Sequence, residues 1–268
     1  MVIKKFYSVL FIAFAFSFFI GCEDGVNIFS PQDDVQLGLQ LHQEISGNPK
    51  NYPILNNSQI TQYVQNIVND IINSPKIKYK KTFKYQVTII NDDNTVNAFA
   101  TPGGFIYVYT GLLKFLDNEA TLAGVLAHEV AHCERRHATQ RLTKAYGVSI
   151  LLDVVLGNNP SIAEEIAANL LVGLAFLKNS RDDEYEADEW AYEYLKSTVW
   201  YPGALIFFFD KVKKNEGNSF LDVLLSTHPL SQDRIDKLNK KIQDDKLPSP
   251  NEDNLFQSRY QNFKKLLP

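Results

Sequence analysis

The stretch His128-Glu129-Val130-Ala131-His132 carries the side chains best suited to chemistry in this chain. In a helix, residues four apart stand one turn above each other, so the imidazoles of His128 and His132 share a face. Glu129 lies about 100° round from His128, close to anything the imidazoles hold without being obliged to bind it. Two imidazole ligands beside a carboxylate suit a zinc-activated water, with ligands for the ion and a base for the water's proton. A motif this short also arises by chance, and a polar helix face carrying two histidines is the plain alternative. Ala127, Val130 and Ala131 argue against it, because they make this part of the helix largely apolar. A glutamate and two histidines set there need a partner to offset their desolvation.

A third ligand has to come from elsewhere, and residues 182–196 (DDEYEADEWAYEYLK) offer one. Glu184 and Asp188 are four apart on one helix face, where like charges are unfavourable unless something positive lies opposite. A metal with its imidazoles would be that partner. Glu184 is therefore the expected third ligand, with a fourth position left open for water. Asp188 is the expected acceptor for the far ring nitrogen of a ligand histidine. Spacing alone does not separate Glu184 from Glu186 or Glu189, and an acidic solvent face carrying all of them is the bland alternative.

The elements that must position these groups follow from periodicity. Asp117 or Asn118 can cap the helix that bears the histidines, and Leu122, Val125 and Leu126 give it an apolar side. Upstream, a helix is expected over about 34–46. Another is capped by Ser58 and carries Ile60, Val64, Ile67, Val68 and Ile71 at spacings of three and four. Strands are expected over 83–90, 96–100 and 105–109. Between the last two, Pro102 argues for an edge or a bend, since proline cannot donate to a ladder, and Gly103-Gly104 permit close backbone approach. Downstream, apolar runs at 147–156 and 161–177 are too short to span a membrane. Helices are then expected over 182–196 and 204–213, and from a Ser231 cap. Residues 244–268 read as a polar tail with little sign of a core. Cys133 follows His132 directly but points about 100° away from it, which favours packing over ligation.

With 268 residues the chain can bury one substantial core, and 27 basic against 31 acidic residues leave no basic nucleic-acid surface. The first residues are an address. Lys4 and Lys5 precede an apolar run over 6–20 that ends in Gly21-Cys22, which resembles the lipobox of bacterial lipoproteins. Cleavage would then remove residues 1–21, lipidate Cys22 and leave 22–33 as a tether. An ordinary signal peptide and an uncleaved anchor are the alternatives. Lipidation of Cys22 leaves only Cys133, so no disulfide within the chain is expected.

Four blocks extend the pattern: Asn97-Ala98-Phe99-Ala100-Thr101-Pro102-Gly103-Gly104, the segment 128–141 (HEVAHCERRHATQR), Ser180-Arg181 with Glu184 through Asp188, and Thr227-His228-Pro229. In order and spacing they resemble the HtpX/Ste24-like zinc metalloproteases, specifically the soluble periplasmic branch that often carries a lipid anchor; no tetratricopeptide repeats are evident. The resemblance covers about residues 34–243, the expected metallopeptidase domain. It implies an α+β, mainly helical, zincin-type fold with a small mixed sheet whose edge strand borders the active-site cleft. It implies one Zn2+ per chain on His128, His132 and Glu184, because the family's ligand is the first glutamate of ExxxD, with Asp188 behind a ligand. His228 would sit near the metal and either restrain or assist the site, while His137 and Arg181 would support its structure.

On this reading Glu129 is the general base, His228 a candidate oxyanion donor, and the edge Phe99, Ala100, Thr101, Pro102, Gly103, Gly104 and Phe105 aligns an extended peptide. The expected activity is hydrolysis of unfolded or misassembled envelope proteins, lipid-anchored on the extracytoplasmic side, with other envelope proteins as candidate partners. Two other classes fit the same residues. One is a zinc-stabilised, lipid-anchored chaperone-like or interaction protein; the other is a hydrolase of non-peptide amides in the cell envelope.

Overall fold

Three short strands form the sheet, in a computed structural model that describes residues 27–147 and 179–268. β1 (Gln86–Ile90), β2 (Ala98–Thr101) and β3 (Phe105–Tyr109) lie in the order β1-β3-β2. β1 runs parallel to β3 and β2 antiparallel to it, so the small sheet is mixed, as expected. β1 starts later than the expected residue 83, because Tyr85 has a left-handed backbone (φ 46°) that breaks the extended run. Gly103 (φ +75°) and Gly104 (φ +90°) make the turn from β2 to β3, where a Cβ would come within 2.7 Å of the Val35 backbone and 2.8 Å of the Tyr85 amide nitrogen. Only glycine suits both constraints.

Helix α1 (Pro31–Ser46) begins three residues before the expected 34, because Ser30 and Asp33 form a reciprocal capping box and Pro31 opens the first turn. That shortens the expected tether. In α2 (Ser58–Ile71) the cap is Asn57 rather than Ser58: its side chain accepts from the amides of Gln59 and Ile60. The apolar residues read at helical spacing in α2 are all buried. α3 (Thr110–Phe115) leads to α4 (Glu119–Glu134), capped by Asn118.

The spacing in α4 suggested one apolar side, yet every residue of the helix is buried. It is the axle of the molecule, packed by α2, by β2, by α6 (Arg181–Leu195) and by α7 (Leu205–Lys214). α5 (His137–Tyr146), α8 (Asp222–Thr227) and α9 (Gln232–Asp244) complete the surroundings of the site. The apolar runs at 147–156 and 161–177, and Cys22 with its leader, lie outside the described residues. Among the described residues no helix is long and apolar enough to cross a membrane.

The polar tail expected over 244–268 is instead a capping element. It forms α10 (Glu252–Leu255) and α11 (Gln257–Lys264), and α11 buries Tyr260 and Phe263 in the main core. Phe263 stacks on Tyr63 at 3.9 Å, and the Tyr260 hydroxyl donates to the Leu113 carbonyl at 2.7 Å. The polar average conceals an aromatic face: Phe256, Tyr260 and Phe263 return at spacings of four and three.

Candidate active site

Two capped helices bring the expected ligands together. Asn118 accepts from the Thr121 amide at the start of α4. Ser180 starts α6 with a capping box to Asp183, and Asp182, Asp183 and Glu184 fill the first turn, where the helix dipole favours acids. Where α4 and α6 face each other, His128 Nε2 lies 2.9 Å from His132 Nε2 and 3.4 Å from Glu184 Oε2, and His132 Nε2 lies 3.3 Å from Glu184 Oε1. All three residues are buried, Glu184 completely.

These separations fit a zinc ion. Zn–N and Zn–O bonds near 2.0–2.1 Å in tetrahedral arrangement set neighbouring ligand atoms about 3.3 Å apart. The charges fit as well. Glu129, Glu184 and Asp188 are buried together, and the buried cation in contact with them among the described residues is Arg234. A divalent ion balances that excess, which is costly to leave uncompensated. Sequence reasoning expected three protein ligands; His228 joins them, with the four ligand atoms all within 4.8 Å of one another. His128, His132, Glu184 and His228 form a cluster that fits a single zinc ion.

Burial opposes a charge on His128, but Glu184 and Asp188 outweigh it and push its pKa up to about 10. Burial and the charge on His128 hold His132 well below its ordinary value. Burial also opposes the Glu184 carboxylate, yet His228 and His128 keep its pKa well below the usual range. Glu129 is pushed up by burial, and its Oε2 has no hydrogen-bond partner.

The groups behind the ligands differ from the simple expectation. Asp188 Oδ1 does lie 2.9 Å from His128 Nδ1, but off the line of a hydrogen bond. Its firmer partner is Arg234, whose Nε and Nη2 each donate to it at 2.7 Å. Arg234 Nη1 also sits 2.6 Å from Glu184 Oε2, so one guanidinium clamps both acids of the Glu184/Asp188 pair. Sequence reasoning missed Arg234, because an arginine in a polar, amphipathic helix looks like a surface residue.

Support for His132 comes through His137. His132 Nδ1 is 2.7 Å from His137 Nδ1, and His137 Nε2 is 3.0 Å from Glu186 Oε2. Arg135 Nε donates to the other Glu186 oxygen at 2.6 Å. Glu186, a rival ligand on spacing, thus ends a chain of contacts behind the site, and Glu189 is exposed beside Lys241. Arg181, expected to support the site, is exposed on the first turn of α6 and makes no side-chain hydrogen bond or ion pair among the described residues. The buried arginine beside the ligands is Arg234.

Asn179 was also missed. Its Nδ2 donates to Glu184 Oε1 at 2.5 Å and lies 3.1 Å from His228 Nδ1. Nothing in the local sequence distinguishes it from any loop asparagine. His228 Nδ1 is 3.0 Å from Glu184 Oε1, and its Nε2 is 3.8 Å from Glu129 Oε1.

The expected substrate edge divides in two. Phe99, Ala100, Thr101 and Pro102 line a cleft that ends at Glu129, His132 and His228. Gly103, Gly104 and Phe105 do not line it: the glycine turn packs toward Val35 and Tyr85, and Phe105 is buried in a separate aromatic cluster. Cys133 is a free, buried thiol facing the Thr101 carbonyl at 3.7 Å, consistent with packing rather than ligation.

Comparison with known proteins agrees with this geometry. The chain is 26% identical over 212 residues to the beta-barrel assembly-enhancing protease of Escherichia coli (strain K12), covering 75% of this chain and 42% of that protein. It is 32% identical over 163 residues to the mitochondrial metalloendopeptidase OMA1 of Saccharomyces cerevisiae, covering 59% and 47%. With OMA1 of Arabidopsis thaliana the identity is 34% over 151 residues, covering 56% and 30%. The chain thus spans less than half the length of these curated relatives. The model of peptidase family M48 matches residues 58–242. With its buried zinc ligands and that match, the chain belongs to peptidase family M48 and is a zinc metalloprotease.

Proposed function

We propose that this chain is an endopeptidase of the bacterial envelope that cuts unfolded or misassembled proteins in extended form, within the periplasmic, lipid-anchored branch of its family. The observation that carries the reading is the unpaired carboxylate oxygen of Glu129, buried beside the ligand set at the end of a cleft walled by the edge strand β2. Zinc, when bound, supplies Lewis acidity toward a carbonyl and makes water a stronger acid. His128, His132 and Glu184 would hold it, with His228 beside them in the same cluster. Glu129 takes the water's proton and returns it to the leaving amine; burial raises the pKa of its carboxylate, which makes it a better proton acceptor. Arg234 with Asp188, and His137 with Glu186, keep the imidazoles oriented. The backbone of Phe99 to Pro102 aligns the substrate as an added strand.

His228 restrains the site in this reading. Its contacts to Glu184 and Asn179 hold it in the ligand cluster, where water would otherwise have access. His228→Ala then raises turnover; a fall in turnover with zinc retained would assign it the assisting, oxyanion-donor role instead. The envelope assignment rests on the Gly21-Cys22 signal and on the relative whose name is a beta-barrel assembly-enhancing protease.

The deciding experiment is digestion of an unfolded protein mixture by the purified chain, with zinc measured on the same sample and Glu129→Gln run alongside. Zinc-dependent cleavage that disappears in the variant supports the reading. Stoichiometric zinc with no cleavage by either protein would move the chain to a chaperone-like or interaction role. Cleavage of envelope amides but not of protein would make it the non-peptide hydrolase.

A further inference from the structure

The cleft along β2 is also walled by α5, and two arginines line it, Arg136 and Arg141. The molecule treats them differently. Arg136 is satisfied: Nε and Nη2 donate to Asp34 at 2.6 and 3.0 Å, and Nη2 also donates to the Phe29 carbonyl. Arg234, behind the ligands, is likewise held by Asp188 and Glu184. Arg141 has no such set of partners. A guanidinium carries five N–H donors. Among the described residues this one reaches only Asp183 Oδ2, from Nη1 at a long 3.4 Å, and that oxygen already accepts from the Ser180 amide at 3.2 Å. Arg141 Nε is buried without a hydrogen-bond partner. The side chain is 19% exposed, screened from bulk water but reachable from the cleft. Burial holds its pKa below the ordinary arginine value, because Asp183 offsets only part of the desolvation.

We propose that Arg141 reads a carboxylate on the substrate, either an acidic side chain or the C-terminal group of the chain being cut. The proposal rests on the peptidase reading given above. A carboxylate presents two oxygens that match the guanidinium fork, and such charge-assisted bonds are about twice as strong as neutral ones. A cationic side chain in the same place would be repelled, and an amide brings one acceptor and no charge. The distance along the substrate follows from α6. Asp183, the contact of Arg141, directly precedes the ligand Glu184, and adjacent helical side chains diverge by about 100°. That sets the guanidinium on the order of 10 Å from the ligand cluster, about three residues of extended chain at roughly 3.3 Å each.

The test digests two peptide mixtures with the zinc-loaded full chain and follows each cleavage by mass spectrometry. In the first, one position at a time carries Glu or Gln; in the second, the C-terminus is a free acid or an amide. The expected result is a preference of roughly tenfold in kcat/KM for the charged member of one pair, at a position about three residues from the cleaved bond. Selection in the first mixture assigns the side chain as the source, and selection in the second assigns the terminus. Arg141→Gln brings the ratio to about one, and Arg141→Lys, which keeps the charge but loses the fork, gives an intermediate ratio. A ratio within one sample is unaffected by any loss of folded protein. Cleavage without preference in either mixture, or a preference that survives Arg141→Gln, overturns the carboxylate site and leaves the peptidase reading standing. A zinc-loaded chain that cleaves no peptide overturns the peptidase reading and the site with it.

Discussion

α4 buries three glutamates, Glu119, Glu129 and Glu134, and the molecule treats the first two in opposite ways. Glu119, in the first turn, accepts from the Trp200 indole at 2.8 Å and from the Tyr63 hydroxyl, and is paired with Arg259 of α11. Both its oxygens are used. Glu129, two to three turns on and just as buried, leaves Oε2 without a partner and has His228 Nε2 only at 3.8 Å. Residue type, helix and burial are the same. What separates architecture from chemistry is whether the protein itself completes the hydrogen bonds of a desolvated carboxylate.

The same substitution at both positions tests that contrast. Glu129→Gln is expected to lower kcat by about 10²- to 10⁴-fold with zinc content unchanged and no loss of thermal stability, since an amide relieves a buried charge. Turnover assays with metal analysis and thermal unfolding check it, and full turnover would remove Glu129 as the base.

At the functional end, zinc binding competes with protonation of His128. Because the folded-state pKa of His128 is raised to about 10, its contribution to the stability of the metal-free protein is complete below its unfolded value of 6.5 and is lost as pH rises through 10. Zinc affinity therefore rises with pH over that window, about tenfold per unit for one displaced proton. Chelator competition at pH 7, 8 and 9 reads this directly; a flat profile would mean that His128 is already neutral.

At the architectural end, Glu119→Gln is expected to cost about 1–2 kcal/mol through weakened bonds to Tyr63 and Trp200, with little from the half-exposed Arg259. Denaturant unfolding should show that loss while kcat/KM per folded molecule stays unchanged. The smallest effect lies between the two ends of the comparison. Glu186→Gln weakens the last contact of the His132–His137 chain, and about a tenfold loss of zinc affinity is expected with little change in the stability of the metal-free protein.

The sequence by itself determined what lies within one helix. Four-residue spacing puts His128 over His132 and Glu184 over Asp188 in any helix, because backbone geometry sets it. Ser180 and Ser231 cap as their residue type indicates, and Asn118 is one of the two caps the sequence offered. The Pro102-Gly103-Gly104 turn was legible for the same reason. Boundaries failed where two local signals competed, as with Asn57 against Ser58, and the C-terminal helix failed where an aromatic face was diluted by polar neighbours.

Spacing alone left Glu184 level with Glu186 and Glu189; the packing of α6 on α4 puts Glu184 in the ligand cluster while Glu186 reaches His137. Tertiary structure also recruited Arg234, Asn179 and His228 from segments far along the chain from α4. No local pattern marks Arg234 or Asn179, whereas His228 belongs to the Thr227-His228-Pro229 block; the places of all three follow from how α6, α8 and α9 pack around α4. Their chemistry comes from burial that removes water and leaves each charge only the partners that packing supplies.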